Sequence, residues 1–120
     1  MRTKNKKVPF GIRFKGQWDY TWREMAHYVE CASSITDENL RDRYIAFLKF
    51  FLDERCKPST MVDSDVLVTF YQDVDNRADI DYREGHVDPE EDPETYKGGR
   101  YFHEVSIKLK RHLDSLGLAY

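Results

Sequence analysis

The chain has 120 residues, of which 40% are hydrophobic and 14% aromatic, so it is long enough for one domain with one packed core. No apolar stretch is long enough to span a bilayer, and the basic N-terminus lacks the apolar region of a secretory signal, so we expect neither a membrane protein nor a secreted one. Two cysteines are too few for a disulfide framework, which favours a cytoplasmic location, in a microbe or inside a host cell.

The charge is distributed unevenly along the chain. Between residues 63 and 94 there are twelve Asp or Glu and two Arg, which sum to −10. The whole chain carries a formal charge of −3, so the remainder, with 17 Lys or Arg and 10 Asp or Glu, carries +7. Such a contrast in charge indicates which kinds of partner the protein can bind, and it does not indicate the fold.

Residues 1–7 are predicted to be a flexible basic tail. From Val8 to Phe14, apolar residues at even positions alternate with other residues at odd positions. This period of two is typical of a half-buried strand, and Pro9 suggests that the strand lies at the edge of a sheet.

A first helix is predicted from about Thr21 to Ser33, because Thr21 and Glu24 have the spacing of a capping box. Its predicted apolar face consists of Trp22, Met25, Ala26 and Val29.

A second helix is predicted to begin after Thr36 as N-cap and to end near Cys56, before Pro58. Its apolar stripe consists of Leu40, Tyr44, Phe47, Leu48 and Phe51.

The segment 64–83 supports two interpretations. Apolar residues fall on even positions from Val66 to Tyr82, while Asp and Arg fall on odd ones, which predicts a hairpin with one acidic face and with Asp73 opposite Asp79. A helical stripe competes with the hairpin, and it consists of Val66, Leu67, Phe70, Tyr71 and Val74. The many β-branched residues favour the hairpin.

The last third begins with residues 87–100, which contain two Pro, two Gly and five acids and are predicted to be an exposed loop. A strand is then predicted from Tyr101 to Leu109, followed by a short helix that Gly117 ends. A helical stripe competes here as well, and it consists of Phe102, Val105, Leu109, Leu113 and Leu116.

Together these elements predict an α+β fold in the order β-α-α-β-β-β, with a short C-terminal helix, in which two helices pack on one face of a small antiparallel sheet. If both ambiguous segments are helices instead, the chain becomes mostly helical, and a winged-helix-like arrangement is the alternative. The α+β interpretation makes residues 8–120 a single domain behind the basic tail, with the acidic loop at 87–100.

The acidic stretch is the leading candidate site, because its carboxylates could occupy the phosphate site of a basic protein partner. The predicted partner-binding residues are Asp73, Asp75, Asp79, Asp81, Glu84, Asp88, Glu90, Glu91, Asp92 and Glu94. The competing interpretation is internal neutralisation, by Lys108 and Lys110 or by Arg77 and Arg83. A calcium loop is not expected, because the spacing of acids fails the EF-hand pattern at Arg77.

The basic residues define an alternative, a nucleic-acid surface, although the acidic half of the chain makes direct binding of nucleic acid less expected. This surface would consist of Arg2, Lys4, Lys6, Lys7, Lys108, Lys110 and Arg111.

No catalytic residue, metal site or cofactor is predicted. Glu24, His27 and Cys31 share one helical face, but a helix alone lacks the oxyanion donors of acyl transfer. His103-Glu104 lacks the second His of a zinc protease helix.

The sequence therefore predicts a small non-enzymatic binding protein that inhibits or regulates a nucleic-acid-binding protein, as phage-encoded inhibitors, antitoxins and immunity proteins do. The expected partner is a protein with a basic surface, and no membrane is involved. The alternative is a nucleic-acid-binding regulator. The sequence predicts neither the oligomeric state nor the identity of the partner.

Overall fold

Helices dominate the computed structural model, which describes residues 6–14, 18–53 and 56–120. The elements in these ranges are β1 (Lys7–Pro9), α1 (Trp18–Cys31), a 3₁₀ turn (Ala32–Ser34), α2 (Glu38–Leu52), β2 (Met61–Asp63), α3 (Ser64–Ala78), a π-helical turn (Asp79–Arg83) and α4 (Pro93–Ser115). The predicted α+β fold is wrong, and the mostly helical alternative describes the chain.

The first strand is shorter than predicted. β1 pairs antiparallel with β2, with Val8 opposite Val62, and the ladder ends at Pro9. The predicted alternation is nevertheless confirmed, because Phe10 and Ile12 are buried like Val8. In the described ranges no strand follows α3 or α4, so no hairpin follows these helices as a wing.

α1 forms near its predicted place, but the face that it turns toward the core differs from the predicted apolar face. Thr21 was predicted to cap the helix, yet it lies inside the helix and is fully buried, so the capping box is wrong. Trp22 is 41% exposed, whereas Met25 is buried as predicted. The face that enters the core consists of Tyr20, Thr21, Met25, Tyr28 and Ala32.

α2 carries the apolar stripe that the sequence predicts. Of that stripe, Tyr44, Phe47, Leu48 and Phe51 are buried and Leu40 is partly buried. The N-cap is Asp37 rather than Thr36, and its carboxylate accepts a hydrogen bond from the Leu40 N–H at 3.1 Å. The helix ends at Leu52, before the predicted end near Cys56.

The predicted hairpin of residues 64–83 is wrong, because α3 and the π-helical turn occupy this segment. Leu67 is fully buried and Tyr71 is 8% exposed, although a strand would place both on the acidic face. The competing helical stripe is therefore confirmed. Asp73 lies in α3 and Asp79 begins the π-helical turn that continues it, so the two do not face each other across two strands.

The predicted exposed loop ends earlier than residue 100. Asp92 caps α4 by accepting a hydrogen bond from the Thr95 N–H at 3.3 Å, and Pro93 occupies the first turn. Gly98 and Gly99 were predicted to lie in the loop, but both are buried inside the helix. There α4 packs against α1 and the π-helical turn, with the Tyr20 ring over Gly98 and Asp81 over Gly99.

The predicted strand from Tyr101 to Leu109 is wrong, because α4 continues through it to Ser115. The apolar stripe of α4 consists of the buried Phe102, Val105, Leu109 and Leu113 and the partly buried Leu116. Gly117 ends the helix as predicted, with φ of +71°. Its N–H donates to Asp114 O at 3.1 Å and that of Leu118 to Leu113 O at 3.0 Å, the two bonds of a Schellman motif.

The core lies where α3 packs between α2 and α4. Seven aromatic rings meet there within 5.0 to 6.5 Å of a neighbouring centroid, and they belong to Phe10, Phe14, Phe47, Phe51, Phe70, Tyr101 and Phe102. This packing fixes which side chains of α3 and α4 remain at the surface.

Candidate functional site

The aspartates at the end of α3 are paired with cations of the chain itself. Arg83 Nη1 lies 2.9 Å from Asp75 Oδ1 and 2.7 Å from Asp79 Oδ1. The Ser106 hydroxyl donates to Asp75 at 2.7 Å, and Arg83 Nε donates to His103 Nδ1 at 2.8 Å. Burial alone would raise the pKa of Asp75, but its hydrogen bonds outweigh burial and hold the pKa below its ordinary value. Two predicted partner-binding residues thus share the single charge of Arg83, which compensates them in part.

Asp81 lies inside the protein, where it is 5% exposed. The Tyr20 hydroxyl donates to Asp81 Oδ2 at 2.6 Å, and Arg77 Nη1 lies 3.5 Å from Asp81 Oδ1. Arg77 Nε also lies 2.8 Å from Glu24 Oε2, so Glu24 is turned toward α3 rather than toward solvent. Burial raises the pKa of Glu24 above its ordinary value, although Arg77 opposes this shift.

Asp73 lies between α2 and α1 and accepts a hydrogen bond from the Tyr44 hydroxyl. The Tyr28 hydroxyl donates to the backbone carbonyl of Asp73 at 3.2 Å. Burial raises the pKa of Asp73, while the Tyr44 hydroxyl and His27 act in the opposite direction. Asp73 therefore links helices in this structure.

The other six predicted partner-binding residues remain at the surface. They are Glu84, Asp88, Glu90, Glu91, Asp92 and Glu94, and all six are exposed. Within residues 6–14, 18–53 and 56–120, none of them pairs with Lys or Arg. Glu84 Oε1 contacts His86 Nε2 at 3.2 Å, and Asp88 accepts a hydrogen bond from the Glu90 N–H at 2.8 Å. We call residues 84–94 the acidic segment.

Among the described residues, Lys7 lines one cleft of the surface, and Lys108 and Arg111 line a different one. Lys7 Nζ pairs with Asp63 at 2.9 Å, while Lys6 is exposed next to it. Lys110 is exposed on α4 and helps to lower the pKa of Asp75, behind burial and the closer hydrogen bonds. Arg2 and Lys4 lie outside the described residues.

Lys108 and Arg111 line a cleft of about 480 Å³ between α4 and the segment after β1. The residues around it are Gly11, Ile12, Arg13, Tyr101, Glu104, Val105, Lys108 and Arg111. The sequence interpretation missed Arg13 and Glu104 as members of this site. The helical spacing of positions 101, 104, 108 and 111 was the available signal, because it places these residues on one face.

Among the described residues, the structure provides little support for a catalytic or metal-dependent function. Cys31 Sγ lies 3.3 Å from His27 Nε2 on an exposed face of α1, where the surrounding backbone N–H groups belong to the helix. Across the described ranges, no three His, Cys, Asp or Glu side chains converge as metal ligands. In the same ranges, no helix is both long and apolar enough to cross a membrane.

In comparisons with known proteins, no family model, curated protein or solved structure matches this chain.

Proposed function

We propose that the protein is a small non-enzymatic binding protein that engages a basic protein partner through the acidic segment. The observation that supports this most is the contrast between two sets of acids. Asp75 and Asp79 are partly exposed but paired with Arg83, and Asp81 is buried near Arg77, whereas the six acids of the acidic segment are exposed and face no Lys or Arg in the described parts of the chain.

The physical basis is the resemblance between a row of carboxylates and a row of phosphates. A basic surface that binds nucleic acid attracts closely spaced negative charges, and such charges also accelerate encounter with the partner. A compact protein carrying them can occupy the nucleic-acid site of its partner and inhibit it. Phage-encoded inhibitors, antitoxins and immunity proteins are the roles that fit this physics.

The proposal is narrower than the sequence prediction. Asp73, Asp75, Asp79 and Asp81 hold α3 and the π-helical turn in place, so they act on the fold rather than on the partner. We also propose that the protein works inside a cell, which its two free thiols favour.

A nucleic-acid-binding regulator remains the second candidate. It ranks second because Lys7 is paired with Asp63 and lines a different cleft from Lys108 and Arg111.

The test is capture of the partner from cells that naturally carry the gene, at low ionic strength. The acidic variant combines Glu84→Gln, Glu90→Gln, Glu91→Gln and Glu94→Gln, and it leaves the capping residues Asp88 and Asp92 in place. The control variant removes four other exposed acids, through Asp19→Asn, Glu30→Gln, Glu38→Gln and Asp42→Asn.

We expect the wild type and the control variant to capture the same basic protein, and the acidic variant to lose it. Thermal unfolding should show that all three chains are equally folded. Equal capture by the acidic variant would overturn the proposal.

A further inference from the structure

The cleft between α4 and the segment after β1 concentrates positive charge. Arg13 comes from one wall and Lys108 and Arg111 from the other, while Glu104 is the one acid among the lining residues. The cleft thus carries a formal charge of +2, from three cations and one anion. All four side chains belong to exposed residues.

These cations differ from three arginines that lie elsewhere in the described ranges. Arg43, Arg77 and Arg83 each hold a carboxylate, with N–O distances of 2.8, 2.8 and 2.7 Å. Neither Arg13 nor Lys108 nor Arg111 makes an ion pair with any residue in the described ranges. Glu104 offsets only one of the three positive charges that line the cleft, and an anion bound there would compensate the excess.

The wall that carries Arg13 is firmly held. Ile12 is 6% exposed, and the Phe14 ring lies 6.0 Å from that of Tyr101 and 5.0 Å from that of Phe51. Because the residues on both sides of Arg13 are anchored in the core, its side chain projects outward toward α4. A site whose parts are held before binding loses less entropy when a ligand arrives.

Gly11 and His112 fix the distance between the two walls. The His112 Nε2–H donates to the carbonyl of Pro9 at 2.6 Å, which ties this segment to α4. The ring of His112 occupies the space that a Cβ at Gly11 would fill, and Gly11 has φ of +85°. The close approach of backbone to ring therefore depends on glycine at this position.

We propose that this cleft binds the phosphate group of a nucleotide or of a nucleic-acid strand, with Arg13, Lys108 and Arg111 as its ligands. Guanidinium groups form paired hydrogen bonds with phosphate oxygens, and Lys adds a point charge. Glu104 would accept a hydrogen bond from a hydroxyl or amino group of the same ligand, such as a nucleotide carries besides its phosphate.

This proposal goes beyond the proposed function and does not depend on it. Glu94 and Lys108 lie fourteen residues apart on one helix, which is about 20 Å. A partner on the acidic segment and a phosphate in the cleft therefore occupy separate places.

The test is titration calorimetry on the full chain at low ionic strength, with three probes: inorganic pyrophosphate, adenosine 5′-monophosphate and a short single-stranded oligonucleotide. The cleft variant combines Arg13→Gln and Lys108→Gln. Its control combines Lys49→Gln and Lys57→Gln, which remove the same charge at exposed positions outside the cleft. If the cleft variant fails to fold, Arg111→Gln is measured in its place.

We expect at least one probe to bind the wild type and the control, and the cleft variant to bind it at least about tenfold more weakly. Binding of the two small probes identifies a free nucleotide as the source of the phosphate, and binding of the oligonucleotide alone identifies a strand. Either result supports the site. Failure of all three probes to bind, or equal weakening in the control variant, would overturn it.

Discussion

Gly99 is a residue at which α4 approaches the π-helical turn closely. A Cβ there would lie 2.6 Å from Asp81 Cβ and 2.8 Å from the Asp81 backbone. Asp81 is in turn held by the Tyr20 hydroxyl, so the backbone at this crossing has little freedom to move away. A glycine that looks like a loop residue in the sequence is therefore a packing residue inside a helix.

Gly99→Ala should destabilise the protein. The new methyl group meets backbone atoms, and such overpacking costs roughly 1–3 kcal/mol. An account based on helix propensity alone predicts the opposite sign, a gain of about 1 kcal/mol. Chemical denaturation decides between them, with Lys97→Ala, an exposed position in the same helix, as the control. A more stable Gly99→Ala protein would contradict the packing described here.

Asp75 should stabilise the fold in a pH-dependent way. Its pKa in the folded state lies below the ordinary value of 3.8, so its ionised form favours folding above that pH. Asp75→Asn should cost about 1 kcal/mol near neutral pH, because the pair with Arg83 is partly exposed and screened.

The stability difference between wild type and Asp75→Asn should be complete above about pH 5 and should shrink as the pH falls through the lowered pKa. Urea unfolding of both chains across this range measures it. A difference that stays constant with pH would show that the Asp75 carboxylate gains nothing from its partners.

At the scale of elements, the sequence predicted the apolar stripe of α2, which a helix alone explains. In α3 the sequence pattern favoured a strand over the helix. Positions four apart, such as Val66, Phe70 and Val74, share a helical face, and they are also all even, as a strand face requires. Only the buried odd positions, Leu67 and Tyr71, separate the two patterns. β-branched residues then favoured a strand, and packing against α2 and α4 overrides that weak preference.

The sequence pattern failed to predict the start of α4 for a different reason. Gly98 and Gly99 normally indicate a turn, and their role here depends on Tyr20 and Asp81, which are distant in sequence. Single-sequence patterns contain no such tertiary contact. The end of α4 was predictable, because the glycine of a Schellman motif is a local signal at Gly117.

The helical assignment of α4 can be tested with two substitutions. A strand would place Val105, Ile107 and Leu109 on one buried face, whereas the helix buries Leu109 and leaves Ile107 38% exposed. Leu109→Ala should therefore cost about 2–5 kcal/mol, and Ile107→Ala less than about 1 kcal/mol. Thermal or urea unfolding provides both values, and similar large losses at the two positions would contradict the helix.

At the scale of the whole molecule, the acidic stretch divides into two parts that differ in pairing and exposure. The sequence could show the excess of acid but not which carboxylates are paired, because Arg83 and Arg77 reach Asp75, Asp79 and Asp81 only once the helices form. The cleft was equally hidden, since Arg13 lies about ninety positions from its neighbours on α4. Of the acids predicted from the sequence, folding therefore leaves those of the acidic segment exposed and without Lys or Arg partners among the described residues.

The proposed binding of a basic partner by the acidic segment is tested most directly by the salt dependence of that binding. Once the partner is captured, its affinity for the wild type, the acidic variant and the control variant is measured as ionic strength increases. We expect affinity for the wild type and the control to fall steeply with salt, and the acidic variant to bind more weakly with a shallower dependence. An acidic variant with the same affinity and the same salt dependence as the wild type would contradict the claim.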